Sequence, residues 1–329
     1  MKEVIPVFFT FDKYYVIAAE VAIYSLLKHA SDDYEYRLYV LHTDIPASAQ
    51  KEMINLVSRF PGASLEFIDA SVFDTDKEIL KSKAHFSKEI YYKLIAAEIF
   101  PQYDRIICSD VDVVFTNDIS DSYFMHEDEF FYFAGVGQIL ESNRMKAYGN
   151  KFSEEELNIL KKEIAAGYLL INLKAIRETG MQKKLTDFYK ANYHRLCLPE
   201  QDCIILCCWP HIKYLPMEYV VCNSYYKEDS NNIAFYQDND GFPKDKETAF
   251  LYFVKALYQP VQVHYVGERK PWNSFSSVPK KELWFSTLSE TGCANRYYKT
   301  LPVFILRRFR KYSLKRFGSK IFRRLSTNK

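Results

Sequence analysis

The chain lacks any run approaching the ~18 apolar residues of a membrane-spanning helix, so a soluble or peripheral protein is expected. Nor is there a long apolar stretch before Asp12, and the opening Met1-Lys-Glu-Val-Ile-Pro6 does not read as a signal peptide. Cysteines number seven, an odd and unevenly spaced set with no C-x-x-C pair. That excludes a disulfide framework and a structural zinc site, and points to reduced thiols in a reducing compartment. Neither G-x-G-x-x-G nor G-x-x-x-x-G-K-S/T occurs, which excludes the dinucleotide-binding and P-loop forms of an α/β layout. No internal repeat or low-complexity segment interrupts the chain.

What is present is a large apolar complement. Of 329 residues 48% are hydrophobic and 16% aromatic, enough for a sizeable core. The net charge of +2 conceals an asymmetry: twelve of the 44 basic residues lie between Arg296 and Lys329, where there is no Asp or Glu. Residues 1–295 therefore carry 32 basic against 42 acidic side chains, a net of −10. An acidic body with a basic tail predicts an anionic surface met by the tail alone and argues against nucleic acid as the partner of the body.

Periodicity predicts alternating strands and helices through residue 115. Strands are expected at Val4–Phe11, Tyr36–Leu41, Leu65–Ile68 and around Ile106–Cys108, with helices at Val16–His29, Ser48–Phe60 and Ser87–Phe100. That order implies parallel βαβ units. Further on, strands are expected at Phe130–Val136, Tyr168–Leu173 and Val261–Val266. Helices are expected from the capping-box pattern Ser153-Glu-Glu-Glu156 through Lys162, over Lys174–Tyr193 and over Gln201–Cys208. Residues 223–250 are polar and read as a long loop or lid.

The stretch that organises the rest is Arg105-Ile-Ile-Cys-Ser-Asp110-Val-Asp112-Val-Val-Phe115. Two carboxylates at i and i+2 after a buried strand share a side of an extended backbone and suit a hard divalent cation. Alone, such a pair is more often a solvated turn. Three further stretches bear on it. His264, in Val263-His-Tyr-Val-Gly267-Glu-Arg-Lys270-Pro-Trp272, can ligate through a neutral imidazole, with Gly267 permitting close approach and Lys270 placed to meet a phosphate; the bland reading is a buried histidine before a basic turn. Ala165-Ala166-Gly167 before a buried strand allows a ligand against the backbone, or simply tight packing. Leu198-Pro-Glu200-Gln201-Asp202 opens a helix, where acids are favoured by the dipole whatever their function.

In this order and at these separations the four stretches resemble glycosyltransferase family 8, retaining metal-dependent enzymes that use UDP-sugars, and among them the bacterial lipopolysaccharide and lipooligosaccharide galactosyl- and glucosyltransferases. The likeness runs from Val4 to about Trp272, with a similar basic tail beyond. It implies an α/β fold of the GT-A type: a Rossmann-like nucleotide-sugar-binding domain with a mixed, mostly parallel central sheet, spanning 1–293 and followed by a basic tail over 294–329. It implies Mn²⁺ or Mg²⁺ held by Asp110, Asp112 and His264, with Gly267 and Lys270 closing on the diphosphate of a UDP-hexose. Asp12, His85, Lys93 and Val111 match donor-binding positions, and Gln201 matches a glutamine near the anomeric carbon. Glu200, Ala165 and Gln138 depart from the family pattern on the sugar-facing wall, where aspartate, asparagine and aspartate are usual. A glutamine amide is a poor nucleophile, so front-face substitution is expected, with Glu200 as the reserve candidate for a covalent role. A catalytically silent relative is the alternative, motivated by Ala165 and Gln138.

In the tail, Leu314, Phe317, Ile321 and Leu325 form one apolar stripe among nine basic residues between Arg307 and Arg324. A basic amphipathic helix of this kind predicts docking on an anionic membrane at its cytoplasmic face, beside a glycan or glycolipid acceptor.

Overall fold

The computed structural model describes residues 2–73, 88–138, 142–227, 239–273 and 277–306. Among these residues ten strands form two sheets. They are β1 (Glu3–Thr10), β2 (Tyr34–His42), β3 (Ala63–Asp69), β4 (Arg105–Ser109), β5 (Val113–Phe115), β6 (Phe133–Gly137), β7 (Ile164–Asn172), β8 (Ile212–Leu215), β9 (Val221–Cys222) and β10 (Gln262–His264). Seven of them make the central sheet in the order β3-β2-β1-β4-β7-β6-β8, and β5-β10-β9 make a small second one. In the central sheet β7 alone runs against its neighbours β4 and β6, so the sheet is mixed and mostly parallel, as the resemblance implies.

Strand alternation divides the core. Val7 and Phe9 of β1 and Ile107 of β4 face one buried cluster, whereas Phe8, Ile106 and Cys108 face the other. Both faces of these strands are covered, which is why they read as continuous apolar runs rather than alternating ones. The helix Val16–His29 buries every residue from Val16 to Leu27 because it is enclosed between the large sheet, β5 and a later helix, Lys281–Thr291. The expected capping box is formed: Ser153 accepts from the Glu156 backbone N–H, and the Glu156 carboxylate accepts from that of Ser153.

Four local expectations are corrected. Lys88–Ile95 is a 3₁₀ run and only Ala96–Ile99 is α-helical, so the segment before β4 is not one regular helix. The long helix expected over Lys174–Tyr193 is two, Leu173–Thr179 and Met181–Asn192, separated at Gly180 (φ +67°), a conformation that costs other residues strain. The polar stretch 223–250 is not all loop: Asn223–Lys227 is 3₁₀, and Asp245 caps a helix Lys246–Tyr258 by accepting from the Thr248 N–H. The last strand is shorter than expected, Gln262–His264 instead of Val261–Val266, and as β10 it belongs to the small sheet.

Beyond the helix Lys281–Thr291, residues 294–306 are again helical. Arg296 reaches the buried carboxylate of Glu20 and also pairs with Glu52, and Tyr297 is buried against Trp284. The start of the basic segment is therefore packed on the body. The apolar stripe expected from Leu314 to Leu325 lies outside the described residues.

Candidate metal and nucleotide-sugar site

Two pairings of strands assemble the site. In the central sheet Phe9 of β1 lies beside Ser109 of β4, so Asp12 and Asp110 leave the same carboxyl edge of adjacent parallel strands. That edge is where open α/β sheets bind ligands. On the other side of β4, Ser109 faces Tyr168 of antiparallel β7, and the Asp110 N–H donates to the Gly167 carbonyl at 3.0 Å. In the small sheet His264 lies opposite Val113, and the Tyr265 N–H donates to the Asp112 carbonyl at 2.9 Å. A histidine 152 residues away in sequence is thereby placed against the acid pair.

The resulting cluster is compact. His264 Nε2 lies 3.1 Å from Asp112 Oδ1 and 3.7 Å from Asp110 Oδ2. One ligand atom from each of Asp110, Asp112 and His264 falls within 4.8 Å of the other two. Two hard carboxylate oxygens and one imidazole nitrogen suit Mn²⁺ or Mg²⁺ and do not resemble the thiolate-rich sets of zinc or copper. Gly167 is required here: a Cβ on it would lie 2.6 Å from His264 Cε1 and 2.7 Å from Nδ1. β7 begins at Ile164 and not at Tyr168 as expected, so the small residues lie within the strand, where Gly167 admits the imidazole of a metal-ligand candidate.

Each aspartate also has its own lysine. Lys93 is 1% exposed and donates to Asp110 Oδ1 at 2.7 Å and to the Ala166 carbonyl at 2.8 Å. Burial alone would lower its pKa, but the Asp110 carboxylate foremost, with Glu200 nearby, more than offsets this and holds the ammonium protonated. Its donors face protein groups behind the acid pair. Lys270 donates to Asp112 Oδ2 and, at 2.6 Å, to the Tyr265 carbonyl. Burial would raise the Asp112 carboxyl, yet Lys270 and then His264 hold it far below the usual carboxylate range. Lys93→Ala should destabilise the protein by ~3 kcal/mol, because it removes a fully buried stem and leaves Asp110 without its counter-charge; a lower urea midpoint at unchanged slope is the expected reading.

The remaining candidates are distributed as follows. Asp12 closes a turn, its carboxylate accepting from the Tyr14 N–H at 2.8 Å. Val111 is 4% exposed and its side chain belongs to the core, which leaves only its backbone to face a ligand. Gly267 has φ +79°, the left-handed turn that lets the chain double back from β10 toward Lys270. Gln201 is buried; its Oε1 accepts from the Ala166 N–H at 3.1 Å, and its Nε2 has no protein partner. Glu200 presents a buried Oε2 without a partner, and burial raises its carboxyl above the ordinary value although Lys93 opposes this. Ala165 is buried, and the Gln138 N–H is tied to the Glu163 carbonyl at 3.0 Å. His85 lies outside the described residues.

Sequence reasoning missed several supporting groups. Tyr15 comes close enough to Asp112, Asp12 and Asp110 that, after burial, these three charges raise its hydroxyl well above the usual range, and its ring meets Trp272 edge-on at 5.9 Å. Its position three residues after Asp12 was a usable signal. Asn223 accepts from the Val266 N–H at 3.1 Å and so anchors the loop after β10. Fully buried Gln262 donates to Ser109 Oγ at 2.9 Å and ties the two sheets together immediately before Asp110. Nothing in the local pattern singled out these last two, since each acts across a contact between distant segments.

The chain has relatives among known proteins. The chain is 23% identical over 251 residues to glycosyltransferase GlyA of Streptococcus pneumoniae, covering 76% of this chain and 30% of that protein. It is 22% identical to general stress protein A of Bacillus subtilis, covering 81% and 87% respectively. Among solved structures, the bifunctional glycosyltransferase WbbM superposes with a TM-score of 0.70 at 24% identity, over 91% of this chain and 52% of that one. The galactosyltransferase LgtC, solved with donor and acceptor sugar analogues, gives 0.64 at 18% identity over 87% and 96%. The chain thus spans about a third of GlyA and about half of WbbM. At these identities the structures establish the shared fold, while the pattern of a sequence family matches residues 6–276. The chain belongs to glycosyl transferase family 8.

Proposed function

We propose that this protein is a retaining glycosyltransferase that moves a hexose, galactose or glucose, from a UDP-sugar to a hydroxyl of a glycan acceptor. The observation that carries the reading is the convergence of Asp110, Asp112 and His264 within 4.8 Å at the carboxyl edge of the sheet. A divalent cation held by these three would act as a Lewis acid on the diphosphate that develops charge as the sugar–phosphate bond breaks. Lys270 supplies a second positive group on the same side. Asp12 and the backbone at Val111 face the nucleotide from the neighbouring strand end.

Gln201 is oriented rather than ionised. With Oε1 fixed by the Ala166 N–H, its free Nε2 donates toward the reacting sugar, and an amide does not displace the phosphate. Substitution then occurs on the front face: the acceptor oxygen bonds to the anomeric carbon as the phosphate leaves, and the acceptor proton passes to the departing phosphate. Trapping of a glycosyl-enzyme lost in Glu200→Ala would overturn this in favour of Glu200 as nucleophile.

The acceptor is a lipid-linked surface glycan reached by docking on an anionic membrane. Among the described residues no helix is long and apolar enough to cross a membrane. Tyr298, Val303 and Leu306 are exposed on the last described helix, ahead of the basic run from Arg307 to Arg324. Full-length protein should float with anionic vesicles, and a chain ending at Leu306 should float less. Equal flotation would remove the tail from the proposal.

The decisive assay is release of UDP from UDP-Gal or UDP-Glc with Mn²⁺ present and absent. Release that requires the cation supports the reading. Binding of UDP without release from either donor favours a silent relative, consistent with Ala165 and Gln138 on the sugar-facing wall.

A further inference from the structure

The two lysines that meet the acid pair are held differently. The ammonium of Lys93 is fixed from behind by the Ala166 carbonyl of β7, inside the central sheet. Lys270 stands on the loop after β10, and it is the backbone of that loop that is pinned. The Val266 N–H is held by Asn223 and the Lys270 N–H by Asn273 Oδ1, both at 3.1 Å. Further along, the Tyr297 hydroxyl donates to the Trp272 carbonyl at 3.2 Å, and Trp272 packs on Trp284 with ring centroids 5.4 Å apart. The loop is set, so any change of partner by Lys270 is made by its flexible four-carbon stem.

In the structure that stem is folded inward. Lys270 is 7% exposed, and its ammonium lies on Asp112 Oδ2 and the Tyr265 carbonyl. The charges then balance pairwise, Lys93 with Asp110 and Lys270 with Asp112. Two neighbouring, partly buried carboxylates would otherwise stand uncompensated, a strongly unfavourable arrangement. A divalent cation entering between Asp110, Asp112 and His264 supplies the same compensation and repels the ammonium already present. An anionic diphosphate arriving with the cation gives that ammonium a new partner.

We propose that Lys270 is a tethered counter-ion: it neutralises Asp112 in the free protein and yields the position when cation and diphosphate arrive together, transferring its ammonium to the phosphate. This rests on the function proposed above and adds an order to it, in which the cation enters with the nucleotide and not ahead of it. Cation and nucleotide are coupled through Lys270, and the coupling is reciprocal.

The test is calorimetric titration of the full-length protein with MnCl₂, with and without saturating UDP. The wild type should bind Mn²⁺ alone weakly and much more tightly with UDP. Lys270→Met, and Lys270→Gln in case the methionine variant does not fold, should bind Mn²⁺ alone about tenfold tighter once the competing charge is gone. In both, the gain from adding UDP should shrink, whereas Lys270→Arg, which keeps a cation, should stay near the wild type. Mn²⁺ binding that needs UDP but is no tighter in either neutral variant would overturn the counter-ion role and leave the proposed function standing. No Mn²⁺ binding in any arm, UDP included, would overturn both.

Discussion

Replacing Asp112 by asparagine is expected to lower UDP release from the sugar donor by about 10³-fold, the scale associated with losing a principal electrostatic stabiliser of a developing anion. The side chain keeps its shape and loses its charge, so the effect isolates electrostatics from packing. Three groups depend on that carboxylate: His264 through Oδ1, Lys270 through Oδ2, and the cation the cluster is suited to hold. A second consequence is structural. Lys270 is left 7% exposed beside a neutral amide, and breaking a buried pair at one end costs ~3–5 kcal/mol. The variant should therefore unfold at lower urea than the wild type. The same drop in stability with full Mn²⁺-dependent UDP release would show that the aspartate serves the fold and not the reaction.

Gly167→Ala is expected to have the next largest effect, through a residue with no chemistry of its own. Its added Cβ would lie 2.6 Å from His264 Cε1, nearer than any real contact permits. Neither side yields easily: the Gly167 carbonyl is held by the Asp110 N–H at 3.0 Å, and His264 is fixed in β10 between β5 and β9. The imidazole must turn away from the acid pair, and Mn²⁺ affinity should fall about 10–100-fold, as it does when the orientation of a metal ligand is lost. Titration with MnCl₂ in the presence of UDP reads the loss directly. Unchanged affinity would mean that His264 is not a ligand, because its ring cannot hold its place and accommodate the methyl group.

These two substitutions also mark where local reading stops. The acid pair, the histidine and the segment from Gly267 to Trp272 were visible as unusual residue types at strand ends, and the resemblance to a known family joined them. What the small residues at 165–167 admit was not visible: space for a ligand and close packing look identical in sequence, and the structure fills the space with the ring of His264. Lys270 was legible as a cation in a turn; its pairing with Asp112 was not, since that contact spans 158 residues. Helix content before β4 was overestimated because apolar spacing in Lys88–Ile95 suits a 3₁₀ turn as well as an α-helix.

By itself the sequence determined most of the strands, though not β5, β8 or β9, as well as where Ser153 would cap a helix and which side chains were candidates to bind a cation or a phosphate. These are local matters, decided by periodicity, capping and the chemistry of single residues. Only the tertiary structure decided that β10 pairs with β5 and not with the central sheet, that Lys93 lies behind Asp110, and that Tyr297 supports the loop carrying Lys270. The physical reason is that an apolar pattern states that a face must be covered, without stating by what. The partner emerges when all such faces are buried at once, and the geometry of the site is a consequence of that packing.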